Sequence, residues 1–263
     1  METRNWGLIL FTALLAAATP AFGQTQPDRI LIFPQVADGP LGDGRIVTHL
    51  TIDNPNQGGT SVLLEFFNSN GSLMVLDVEI RGQRQRGSTF NISLTRWASA
   101  LIRTLGLSTS QQVGWARAMS TTAVAGTLQY STRDGQGHLI SQAGWGISRP
   151  VRFFQIPAFR DADLGDTGIA WVNPGASAVQ ITAVLVNASG QEVQRRTLAL
   201  PARGHQASFL REPAFFDRMP EGFVGSAYFC VSGQAEVAPV ALLISRGGIL
   251  SGLAVAQMGN CLF

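Results

Sequence analysis

The amino-acid sequence predicts an all-β protein made of two tandem β-sandwich modules behind a signal peptide. Three observations lead to this prediction: an internal repeat, apolar residues that alternate with a period of two, and turn-forming pairs between the apolar runs. The chain has 263 residues, of which 45% are hydrophobic and only 14% are charged. A disordered chain is excluded, since disorder requires low hydrophobicity.

Residues 1–23 are expected to form the signal peptide. The apolar run Trp6–Ala18 is too short to span a bilayer as a stable helix, and Ala21-Phe22-Gly23 has small residues at the spacing that a signal peptidase recognises. We expect cleavage before Gln24, although a retained membrane anchor is the alternative. No later segment is apolar for long enough to cross a membrane. The mature chain is therefore expected outside the cell, on the cell surface or in the periplasm.

The repeat divides the mature chain into module 1 (28–148) and module 2 (151–263), joined by Ser148-Arg149-Pro150. Several short segments of the first half recur in the second, first at an offset of 123 and later of 119, which places a four-residue deletion between Asp166 and Asn173. The matched segments are Phe33–Asp38 with Ile156–Asp161, Leu41–Asp43 with Leu164–Asp166, and Asn54-Pro55 with Asn173-Pro174.

Within each half the apolar period is two, as in half-buried strands. Ile46, Leu50 and Ile52 alternate with polar residues, and Asn70-Gly71 and Ser189-Gly190 are hairpin turn formers. One short crossover helix is predicted for each module. The first spans Ser93–Leu105, with an apolar stripe at helical spacing, and the second spans Arg211–Met219, before Pro220.

About eight strands in some 115 residues is the size of an immunoglobulin-like sandwich. The segments Pro34–Gly39, Asn54-Pro55 and Phe67–Gly71 resemble a repeat of exported bacterial proteins that reads roughly F-P-x-F-A-D-G, then N-P, then N-G. The resemblance covers both halves. It implies an extracellular β-sandwich of unknown function and no catalytic residues. The second half departs from the pattern at Arg160 and Ala162.

The two cysteines, Cys230 and Cys261, are not at a metal-ligand spacing. In an exported protein we expect them to form a disulfide, which would tie the end of the chain to module 2. Two buried thiols are the alternative.

The sequence contains no motif typical of an enzyme, so a non-enzymatic protein is expected. It lacks the nucleophile elbow, the zinc-protease motif and the phosphate-binding glycine loops. His49, His138 and His205 are expected to face solvent. A net charge of +2 with scattered arginines provides no electrostatic footprint for nucleic acid.

Asp161, Asp163 and Asp166 are a candidate calcium site, since hard cations take carboxylate and carbonyl oxygens. The alternative is that these aspartates accept backbone N–H bonds and cap turns. We favour turn capping, and no other cofactor is expected.

Among the tryptophans, Trp115 and Trp171 lie in strand runs and are expected to pack between the sheets. Trp145 lies between two glycines and is the candidate for an exposed, ligand-binding ring. An extracellular structural or adhesive role is therefore expected, with a protein partner or self-association. A carbohydrate-binding protein that uses exposed aromatics is the alternative.

Overall fold

The computed structural model describes residues 26–261 of the chain, so the predicted signal peptide lies outside the described residues. Within that range there are 18 strands and no helix, and the strands form two nine-stranded assemblies. The prediction of an all-β fold with packed sheets is confirmed.

The first half of the chain forms nine strands, in two layers that enclose one core. The strands are β1 (Asp28–Leu41), β2 (Gly44–Asp53), β3 (Thr60–Asn68), β4 (Leu76–Ile80), β5 (Gln83–Gly87), β6 (Thr89–Leu94), β7 (Ser99–Thr104), β8 (Gln112–Arg133) and β9 (Leu139–Gly146). One layer has the order β1-β8-β3-β6, and the other has the order β5-β4-β7-β2-β8-β9.

The long strand β8 belongs to both layers. Its first part pairs with β1 and β3, and its second part, from Ala125 onward, pairs with β2 and β9. The change of partner occurs near Thr122, where Asn56 Nδ2 donates hydrogen bonds to the Thr122 hydroxyl (3.1 Å) and to the Ala123 carbonyl (2.8 Å). The two layers are therefore joined covalently as well as by packing.

The second half forms another nine strands. They are β10 (Phe153–Asp161), β11 (Gly165–Val172), β12 (Val179–Asn187), β13 (Glu192–Leu200), β14 (His205–Phe209), β15 (Phe223–Val231), β16 (Ala238–Ile244), β17 (Leu250–Leu253) and β18 (Ala256–Gln257). Strands β13-β12-β15-β10 neighbour one another in the same way as β6-β3-β8-β1, and β14-β11-β16-β17 correspond to β7-β2-β8-β9.

One buried asparagine in each half makes the same set of hydrogen bonds. Asn54 donates to the Gly58 and Thr95 carbonyls (2.8 and 2.9 Å), and Asn173 donates to the Ser177 and Pro201 carbonyls (2.7 and 2.8 Å). Each side-chain carbonyl also accepts the N–H two residues later, at 3.0 Å. These asparagines close the loop that follows β2 and β11, respectively.

Three of the four residues by which the halves differ fall in a hairpin, not in the strand after it. Thr48 Oγ1 accepts the Ala37 N–H (2.9 Å), and Thr167 Oγ1 accepts the Phe159 N–H (3.0 Å), so these two threonines occupy equivalent positions. The β1–β2 hairpin is consequently longer than the β10–β11 hairpin. The predicted location of the deletion, after Asp166, is wrong.

Neither predicted crossover helix forms. Ser93–Leu105 contains the end of β6, a turn and β7, and Ala100, Ile102 and Thr104 of β7 are buried while Leu101 is 48% exposed. The apolar residues fit both an alternating strand pattern and a helical stripe. The strand forms because β7 pairs with β2 and β4. Arg211–Met219 forms successive turns around Pro213 that bury Phe215 and Phe216.

The predicted disulfide forms between Cys230 in β15 and Cys261, with Cα atoms 5.7 Å apart. Cys230 is buried beside the second core, so the bond holds residue 261 against module 2. Among residues 26–261, no helix has the length and hydropathy needed to span a membrane.

The two halves meet through a small apolar joint. Trp115 and Phe67 stack with ring centroids 4.4 Å apart and are buried together with Ile32, Val172 and Ala238. Trp115 Nε1 donates to the Arg203 carbonyl across the joint (3.0 Å). The expectation that Trp115 packs between the sheets of its own module is wrong, because its ring lies on the outer face, beneath module 2.

Candidate functional site

Strand β6 lies at the open edge of a layer. It pairs with β3 in antiparallel register, from Thr60 opposite Leu94 to Glu65 opposite Thr89. No strand of the described chain pairs with its other side. Such an edge presents unpaired backbone N–H and C=O groups to solvent, and these can accept a further strand.

The side chains of β6 alternate between core and solvent. Phe90, Ile92 and Leu94 are buried, whereas Thr89, Asn91 and Ser93 are exposed. The strand contains no charged residue and no proline, and its register with β3 has no bulge. Those three devices are the usual means by which proteins prevent pairing at an edge, so β6 lacks the common protection.

Several other edges in the described chain are protected. Strand β5 exposes Arg84 and Arg86. Strand β13 carries Glu192, Arg195 and Arg196, which form ion pairs, and has a bulge against β12. Each of these strands would have to desolvate charges before it could pair.

The remaining edges are short or are covered by the rest of the molecule. Strands β9 and β17 lie beside each other, where Leu250 N donates to Ser141 Oγ (2.9 Å). Strand β18 has two residues and itself pairs with β10. Strand β14 is uncharged apart from His205, which is buried in the joint, and Glu212 lies against Ser208 at its other end. Strand β6 is therefore the candidate interaction edge.

His205, which was expected to face solvent, is only 5% exposed. Its backbone N–H donates to the Ser69 carbonyl (2.9 Å), and its Nδ1 lies 3.0 Å from the Ser69 hydroxyl. Its Nε2 is buried and makes no hydrogen bond within the described structure. Burial lowers the pKa of His205 to about 4, so the neutral imidazole is the form that fits the joint.

The other two histidines lie at the surface of module 1. His49 is half-buried on the outer face of β2, with Nε2 3.2 Å from Ser131 Oγ. Burial, and then the charges of Arg103 and Arg133, lower the pKa of His49. His138 is exposed and lies 3.0 Å from the Asp134 carboxylate.

The structure separates the three aspartates of the candidate calcium site. Asp161 Oδ1 accepts the backbone N–H groups of Leu164 and Asp163 (2.9 Å each), which lower the pKa of its carboxyl group. Asp166 lies in β11 and forms an ion pair with Arg211 (2.7 Å). Asp163 is exposed in the turn. Within residues 26–261, no three His, Cys, Asp or Glu side chains group so that they could hold a metal ion.

Trp145, the candidate exposed ring, is half-buried. Its ring packs on Tyr130 with centroids 5.2 Å apart, and its Nε1 donates to the Ala241 carbonyl of module 2 (3.2 Å). It lines a groove of about 500 Å³ between the halves, together with Ser148 and Pro239. Its contacts are therefore those of a joint residue.

Sequence reasoning missed both β6 as an interaction edge and His205 as a buried group. The alternation of Phe90, Ile92 and Leu94 with uncharged residues could have revealed the strand. Its place at the edge depends on which strands pair, and no local pattern encodes that. Comparison of the chain with protein-family models, curated proteins and solved structures found no match.

Proposed function

We propose that this chain is an exported, non-enzymatic protein that binds other proteins outside the cell by adding a strand to β6, in a structural or adhesive role. The observation that carries the proposal is the uncharged edge of β6, where no described strand pairs with the side opposite β3. Strand addition uses backbone hydrogen bonds for affinity and alternate side chains for specificity.

The proposal includes a duplication of one immunoglobulin-like sandwich. The matched neighbour order of the strands and the matched bonds of Asn54 and Asn173 support it. Duplication explains why the second half has the same scaffold. In the second half the equivalent strand is β13, which carries Arg195 and Arg196.

Export is supported by the Cys230–Cys261 disulfide, because such bonds persist in oxidising compartments. The joint supports a structural role. Trp115 and Trp145 each donate an indole N–H from module 1 to a carbonyl of module 2. Two sandwiches held in one orientation present β6 in a defined direction.

A peptide library tests the proposal. The purified mature chain is screened against random ten-residue peptides, and the enriched peptides are measured by calorimetry. We expect uncharged peptides with alternating apolar residues, whose binding is lost in Asn91→Arg and kept in Ser61→Arg. Ser61 is the matched control, because it is exposed on the neighbouring strand, directly opposite Ser93. Equal binding by both variants, or no enrichment, would refute strand addition at β6.

A glycan-binding role is the second candidate, and Trp97 is the observation that favours it. Among residues 26–261, Trp97 is the most exposed aromatic residue, at 61% exposure. Its φ of 57° is unusual for a non-glycine residue. The Arg96 guanidinium lies 3.6 Å from the ring centroid. Binding on a glycan array that disappears in Trp97→Ala would support this role.

A further inference from the structure

We infer that β6 pairs with β6 of a second copy of this chain, in an antiparallel register centred on Asn91. The inference rests on the proposed function, because it uses the same open edge, and it names the partner. A pairing of identical edges is isologous and closes as a twofold dimer.

The geometry of an edge strand restricts the register. Only every second residue of an edge turns its backbone N–H and C=O outward. When two identical strands pair in antiparallel fashion, two residues that face each other must match in this respect. Either both turn their backbone N–H and C=O toward the new partner, or both turn them away from it. A register with Asn91 opposite Ile92 breaks this condition. The twofold axis must pass through a residue, and Asn91 and Ile92 are the two central residues of β6.

An axis through Asn91 makes the strand complementary to itself. Asn91 then lies opposite Asn91 of the second copy, and Thr89 lies opposite Ser93, so that exposed hydrogen-bonding side chains meet on the outer face. On the core side Phe90 lies opposite Ile92, an aromatic with a β-branched residue, which is a favourable cross-strand pair. An axis through Ile92 would replace this pair by Phe90 opposite Leu94.

The charges near the edge tolerate this register. Glu65, on β3 directly opposite Thr89, forms an ion pair with Arg117 (2.7 Å). In the dimer Thr89 lies opposite Ser93 of the second copy, and Ser93 lies opposite Ser61 on the next strand of that copy. The residues aligned with Glu65 across the paired sheets are therefore uncharged. No like charges are brought face to face along the paired strands, and neither strand has a charge to desolvate.

The first experiment measures the association of the purified mature chain by sedimentation and by size-exclusion chromatography with light scattering. We expect a concentration-dependent dimer. Asn91→Arg places two like charges across the axis and should raise the dimer dissociation constant by at least roughly tenfold. Ser61→Arg adds the same charge one strand away and should leave the constant unchanged. Circular dichroism and a thermal melt verify that both variants are folded.

The second experiment tests the register by cysteine crosslinking. Both native cysteines are in the disulfide, so an added cysteine is the one free thiol. In the proposed register the Cβ atoms of paired residues at the axis are about 5 Å apart. Asn91→Cys should therefore form an intermolecular disulfide with an added oxidant. Thr89→Cys should not, because its two copies would be about 13 Å apart along the strands.

Each result supports or overturns the inference. A dimer that is broken by Asn91→Arg and trapped by Asn91→Cys supports it. A dimer that Asn91→Arg leaves intact, or one that only Thr89→Cys traps, overturns it. A chain that stays monomeric at its highest soluble concentration also overturns it, and if the library peptides still bind, the proposed function stands without the dimer. If the peptides fail as well, both fall.

Discussion

Acidification should weaken the joint between the two halves through His205. The imidazole is 5% exposed, and its pKa is lowered to about 4 because burial disfavours the charged form. The unfolded chain has the ordinary value of 6.5. Since the folded pKa is the lower one, protons bind preferentially to the unfolded chain as the pH falls through 6.5. This contribution to stability is therefore fully present above that pH and is lost progressively toward pH 4.

The magnitude follows from the two pKa values. Between pH 7 and pH 5 the unfolded histidine becomes almost fully protonated, while the folded one stays mostly neutral. The free energy of unfolding should therefore fall by about 2 kcal/mol from this group alone. By pH 4 the loss should approach about 3 kcal/mol.

Urea unfolding, followed by tryptophan fluorescence at pH 7 and pH 5, measures the effect. His205→Gln keeps a polar group beside Ser69 but does not titrate. Its free energy of unfolding should therefore fall by about 2 kcal/mol less than that of the wild type between pH 7 and pH 5. Exposed carboxylates titrate in both proteins, and their contribution cancels in the difference. His138→Gln is the matched control, because His138 is exposed. If the wild type and His205→Gln show the same pH dependence, the assignment of His205 as a buried neutral group is refuted.

Three further predictions concern stability and metal binding. Asn54→Ala and Asn173→Ala should each cost about 3 kcal/mol in urea unfolding, because each removes three hydrogen bonds of a buried side chain, worth about 1 kcal/mol apiece; a cost near zero would show that the loops close by other means. Reduction of the Cys230–Cys261 disulfide should cost about 3 to 4 kcal/mol, from the loop that it closes, and an unchanged melting temperature in reductant would contradict this. Added calcium should produce no calorimetric heat, because backbone N–H groups already occupy Asp161; a heat that Asp161→Asn abolishes would contradict this.

The strands of the fold could be predicted because local pattern determines them. Ile46, Leu50 and Ile52 alternate with half-buried residues along β2, as their period of two indicates. The same rule failed for Ser93–Leu105, where a helical stripe and an alternating pattern share residues. Ala100 and Ile102 turn to the core because β7 pairs with β2, and that pairing is a long-range choice.

The parts of the candidate site that escaped prediction depend on contacts distant in sequence. His205 is buried by Ser69, which is far from it along the chain, and Trp115 is buried by module 2 rather than by its own core. Glycine neighbours around Trp145 indicated an exposed loop, yet the ring donates to Ala241. Burial at a joint produces no periodic pattern in the sequence of either module, since each module alone would expose these residues at its surface.

The continuity of β8 has a consequence for how the chain is made. This strand lies inside both layers of module 1, between β1 and β3 in one and between β2 and β9 in the other. A nascent chain that has not yet reached Gln112 therefore lacks the strand that connects β1 to β3, and neither layer can be completed. Synthesis must proceed to about Arg133 before the first module can close. The emerging chain thus stays open until about half of it has been synthesised.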